Sequence, residues 1–77
     1  MTFPRVTMSE VWQQPGTGAR VVLTLGPMNV GPRFYACRWL NGHPQQVWNG
    51  WNALTVAGVL TRWRAFEQRI GSRQISS

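Results

Sequence analysis

The chain has no lysine, two acidic residues, one cysteine and one histidine in 77 residues, and each shortage closes off some chemistry. A lone Cys37 excludes an intramolecular disulfide, and with His43 as the only histidine there is no Cys/His set for zinc. Glu10 and Glu67 are the only acids, far apart in sequence, so no carboxylate pair marks an acid/base centre. His43 lies beside Pro44 with no carboxylate at an interpretable spacing, which reads as an exposed turn residue rather than a general base. Gly16-Thr17-Gly18 is too short for a phosphate loop and lacks the helix that should follow one. No apolar run approaches the roughly 18 residues of a membrane span, and Met1 to Glu10 lacks a basic-then-apolar leader pattern. The expectation is a soluble, cytoplasmic, non-enzymatic protein with no catalytic residue, metal or cofactor.

What the chain does have is arginine and tryptophan. All eight basic side chains are arginine and five residues are tryptophan, giving a formal charge of +6. Arginine grips phosphate or carboxylate with a planar fork and stacks on flat rings, whereas lysine is a hydrated point charge. This charge on so short a chain points to a polyanionic or acidic partner: nucleic acid, or an acidic protein surface. A GC-rich coding sequence that spells positive charge as arginine would give the same composition. Seventy-seven residues allow one domain with a thin core, so some tryptophans must be core before any is assigned to a ligand.

Strands are expected from about residue 4 to 48. Pro4 to Trp12 alternates, with Val6, Met8 and Trp12 on one side and Glu10 as an interruption. After the turn signal Pro15-Gly16-Thr17-Gly18, Arg20 to Leu25 is a β-branched apolar run ended by Gly26-Pro27. Arg33 to Leu40 alternates Phe34, Ala36, Arg38 and Leu40 against Tyr35, Cys37 and Trp39. Asn41-Gly42 tolerates the positive φ angles of a tight hairpin, so a strand near Gln45 to Trp48 should pair back, and Pro44 puts that strand at an edge. From Asn52 the period changes: Val56, Val59, Leu60, Trp63, Phe66 and Ile70 recur at helical spacing, with Asn52 or Thr55 as N-cap and Gly71 as C-cap glycine. The helix spans about 52 to 70, and 72 to 77 reads as a frayed tail. The fold class is α+β: a three- or four-stranded antiparallel meander packed by one C-terminal amphipathic helix. If Asn52 to Ala57 were instead a turn and final strand, the sheet would close toward an SH3-like barrel.

Two constellations carry the functional expectation. On a helical projection Arg62, Arg69 and Arg73 form one stripe, with Arg64 on the opposite flank. The stripe suits a phosphate backbone, or equally a solvated flank whose stems cover the rim of the core. Glu67 sits three residues after Arg64, the spacing of a local ion pair. In the second constellation Tyr35 and Trp39 form a stacking platform with Arg33 and Arg38 at its margins, and Trp48 and Trp51 follow the hairpin. The competing assignment makes Tyr35, Cys37 and Trp39 the inner face against the helix and Arg38 the outer face. Arg33, Arg38, Trp48, Trp51, Arg62, Arg69 and Arg73 are thus the candidate nucleic-acid contacts. The compactness fits a small accessory or regulatory protein of a phage, plasmid or other mobile element. The second class is a protein-interaction module, a homo-oligomer or an inhibitor of a larger complex, with tryptophan and arginine as hot spots.

The run Gly26-Pro27-Met28, then Cys37-Arg38-Trp39-Leu40-Asn41-Gly42, then a strand ending in Asn52-Ala53-Leu54, resembles the YodC family of small bacterial domains. In that family a Gly-Pro-x-Met stretch precedes a Cys-x-Trp-x-Asp-Gly hairpin. The resemblance covers about half the chain and implies the β-hairpin but no activity. The helix after Leu54 departs from the family pattern.

Overall fold

The computed structural model describes residues 6 to 76, so the start of the expected first strand at Pro4 and the last tail residue lie outside the described residues. Six elements follow in order: β1 (Met8–Gln13), β2 (Arg20–Pro27), β3 (Phe34–Leu40), β4 (His43–Gly50), α1 (Ala53–Arg69) and β5 (Arg73–Ser76). All strands pair antiparallel in one sheet of order β4-β3-β2-β1-β5, which is not closed into a barrel. The α+β meander with one covering helix is therefore the fold, with five strands rather than three or four. Asn52 to Ala57 is the cap and first turn of α1, which removes the barrel alternative.

Local chemistry sets each reversal. Asn41 and Gly42 take φ of 50° and 83°, the left-handed pair that folds β3 back onto β4. Pro44 lies on β4, an edge strand as its missing N–H requires, next to an irregularity in register between Arg38 and Trp39. At the helix start, the Asn52 side chain accepts from the Leu54 N–H at 2.8 Å, so Asn52 is the N-cap. At the other end Ser72 N–H donates to the Glu67 carbonyl at 2.9 Å and Gly71 N–H to Gln68 at 3.1 Å. With Gly71 at φ 90°, this is the left-handed helix stop that turns a chain sharply.

That stop redirects residues 73 to 76 alongside β1, so most of the expected frayed tail is β5. Its residues are polar or exposed throughout and carry no alternation, so only the free edge of β1 and the geometry of the helix stop select strand.

Register assigns the faces. Trp12 pairs with Val21, Glu10 with Leu23 and Met8 with Leu25; Leu25 pairs with Ala36 and Leu23 with Arg38. These residues share the face covered by α1, where Trp12, Val21, Leu23 and Ala36 form the core with Val56 and Leu60. Met8, Leu25, Phe34, Leu40 and Trp63 pack around it. Phe66 and Ile70, expected in the same seam, are 44% and 39% exposed and lie outside the core cluster, with Phe66 beside the Arg38 guanidinium instead. Tyr35, Cys37 and Trp39 lie on the opposite face, which reverses their assignment to the helix side, although Tyr35 and Cys37 are buried.

Candidate nucleic-acid interface

Under the helix sit both acids of the chain. Glu10, which breaks the apolar alternation of β1, is buried: its Oε1 accepts from Trp12 Nε1 at 3.0 Å and its Oε2 from Arg64 Nε at 2.7 Å. Glu67 is fully buried, with Oε2 accepting from Arg38 Nη2 at 2.9 Å and Oε1 from Ser72 Oγ at 2.7 Å. The expected local pair between Arg64 and Glu67 does not form. Each helical member instead takes a partner from the sheet, a long-range choice that the spacing along α1 cannot reveal. All four carboxylate oxygens have donors, as burial of charge requires.

Arg38 is consequently not at the margin of an exposed platform. Its side chain keeps 13% of its exposure, pairs with Glu67 and lies 5.8 Å from the Phe66 ring centroid. The alternation of β3 gives it the helix face because Leu23 and Gln46 are its register partners there.

The remaining arginines among the described residues lie at the surface. Arg20, Arg62, Arg69 and Arg73 are exposed and Arg33 is half-buried, and none has an ion pair among the described residues. Arg62 and Arg69 are seven residues apart on one flank of α1, as the helical projection expects. Arg73 is not part of that stripe: the helix ends at Arg69 and Arg73 belongs to β5, opposite Gln13. Arg20 and Arg64 were outside the sequence candidates; Arg64 turns out structural, and Arg20 adds to the exposed set.

The aromatics separate the same way. Trp12 is core, Trp39 and Trp63 are half-buried, and Trp51 and Trp48 are 63% and 36% exposed. The Arg33 guanidinium lies 4.3 Å from the Trp51 ring centroid, a cation–π stack that holds an exposed indole on the segment between β4 and α1. The Trp48 ring lies over Gly50, where a Cβ would come within 2.8 Å of Cζ3. A side chain there would push the indole aside, and the register partner Ala36 puts Trp48 on the helix side of the β4 edge. Tyr35 is 1% exposed and so offers no stacking face. Burial raises its hydroxyl pKa above 10.0, against an opposing hydrogen bond from Thr24. Trp39 donates from Nε1 to Thr24 Oγ1 at 3.0 Å.

Two open hollows of about 550 and 560 Å³ flank the β4–α1 side and share Gln45, Gln46 and Trp63. Arg38 and Phe66 close one; Trp48 and Arg62 border the other. Cys37 is fully buried, and burial pushes its thiol up to about 11, which leaves it a poor nucleophile. Among the described residues no cluster could hold a metal, and no helix is long and apolar enough to cross a membrane.

No family model, curated protein or solved structure matches this chain. The Asn41-Gly42 hairpin is formed, and the strand that follows it stops at Gly50, ahead of Asn52-Ala53-Leu54.

Proposed function

We propose that the chain is a small, non-enzymatic nucleic-acid-binding protein that holds phosphates with its outward arginines and stacks unpaired bases on Trp51 and Trp48. One observation carries this reading: both side-chain carboxylates are held inside the fold by Arg64 and Arg38. In a chain of net charge +6, the described arginines outside those two pairs, Arg20, Arg33, Arg62, Arg69 and Arg73, have no acidic side chain to oppose them. A surface of one sign draws polyanions, and each phosphate contact releases counterions. The Arg33–Trp51 stack supplies an aromatic face whose neighbour is already a phosphate-compatible cation.

The test is a fluorescence-anisotropy titration of labelled single- and double-stranded oligonucleotides at low and physiological salt. The expected result is micromolar binding at low salt that weakens steeply as salt rises. Absence of binding at low salt would overturn it.

A second reading has its own support. β4 is an edge strand of eight residues with no charged Lys, Arg, Asp or Glu, exposed along nearly its whole length. Such an edge pairs readily with another strand, so a protein partner or a second copy is the alternative. Size-exclusion light scattering on the free protein separates the two: a monomer over a wide concentration range counts against self-pairing.

A further inference from the structure

The two hollows on the β4–α1 side share one wall, and the chemistry of that wall is more selective than a cationic surface requires. Trp63 and Trp48 line it with their indoles, and the exposed Gln45 and Gln46 line it with side-chain amides that have no hydrogen-bond partner among the described residues. Arg62 stands beside it with no ion pair among the described residues. The bulge-like shift in register between Arg38 and Trp39 is what brings two successive glutamines to one groove: Gln46 opposes Arg38, Pro44 opposes Trp39, and Gln45 is left over between them. A strand in regular register would send neighbouring side chains to opposite faces.

Flat apolar walls, amides free to donate and accept together, and one cation match a planar hydrogen-bonding ring that carries a phosphate. Resting on the nucleic-acid reading above, we infer that this groove is a base-reading subsite, which takes a single unpaired nucleotide between Trp48 and Trp63. Arg62 holds its phosphate and the Gln45 and Gln46 amides read its base. A carboxamide pairs in bidentate fashion with the N6 and N7 edge of adenine, so adenine is the base the site favours. The Arg33–Trp51 stack lies outside the groove and gives contact without choice of base, since any base has a face to stack.

The experiment is a titration of four single-stranded 12-mers, each flanked identically and differing in one central run of A, C, G or T, against the full chain and its Gln45→Ala/Gln46→Ala variant. Both glutamines are exposed, so the variant should fold, which circular dichroism checks. The expected result is about tenfold tighter binding of the adenine oligonucleotide by the parent chain, the size of one good amide–base pair. That preference should vanish in the variant while affinity for the other three stays within about twofold. Equal affinities for all four, a ranking led by another base, or a preference that survives in the variant each overturn the subsite while leaving nucleic-acid binding standing. No binding of any oligonucleotide removes both.

Discussion

Arginine does two different jobs in this molecule, and the difference is one of position rather than residue type. Beneath α1, Arg38 and Arg64 neutralise Glu67 and Glu10 across the helix–sheet interface. Around the rim, Arg33 stacks on an exposed tryptophan and Arg62 borders an open groove, and neither has an ion pair among the described residues. The interior takes both acidic side chains, so the charged side chains left at the described surface are arginines. A composition that reads as simply basic is therefore a sorted one: stability belongs to the paired set, and the proposed function assigns partner choice to the unpaired set.

The sharpest way to break this contrast is Glu67→Ala. Removing it strands Arg38 next to Phe66 and leaves Ser72 without its acceptor, and a broken buried pair costs about 3 to 5 kcal/mol. In so small a domain that means loss of the cooperative transition in thermal or urea unfolding. Replacing both partners, with Arg38→Met and Glu67→Leu, should recover most of the loss, because apolar residues of similar volume replace a buried pair at little cost. Next comes Trp63→Ala, expected to cost about 3 kcal/mol, near the low end for a large aromatic because the ring is half-buried. Glu10→Ala should be milder, about 1 to 2 kcal/mol, since the Arg64 side chain keeps 33% exposure and can turn to water. Smallest of all in stability is Arg62→Ala, within about 0.5 kcal/mol by urea unfolding, as for an exposed residue with no partner. A large destabilisation by Arg62→Ala, or a negligible one by Glu67→Ala, would erase the distinction between the two sets.

Most of the scaffold was legible in the sequence, and the reasons are local. Asn41-Gly42 needs only its own φ preferences to announce a hairpin, Asn52 and Gly71 bracket α1 by their side-chain chemistry, and Pro44 marks an edge by what it cannot donate. β5 was not legible because Arg73 to Ser76 has no pattern of its own; it is a strand only because β1 has an edge beside the helix stop. The ion pairs were hidden for the same reason. Arg64 and Glu67 look like partners along the helix, yet their actual partners are on β1 and β3, more than a hairpin away in sequence. One signal was present: Glu10 interrupts an apolar alternation, and a charge on the buried face of a strand calls for a buried counter-charge. Of the candidate contacts, Trp48, Trp51, Arg33, Arg62 and Arg69 could be placed from exposure and spacing, whereas Arg38 needed the sheet face and Arg73 the true end of α1.

The central claim is that the unpaired arginines, and not the paired ones, meet phosphate. It is tested most directly by the slope of log affinity against log salt for a single-stranded oligonucleotide, in the parent chain and in the Arg33→Ala/Arg62→Ala variant. Each phosphate contact contributes about 0.7 to that slope for single strands, so the variant should lose about 1.4 while its unfolding transition stays in place. An unchanged slope in a folded variant would contradict the account.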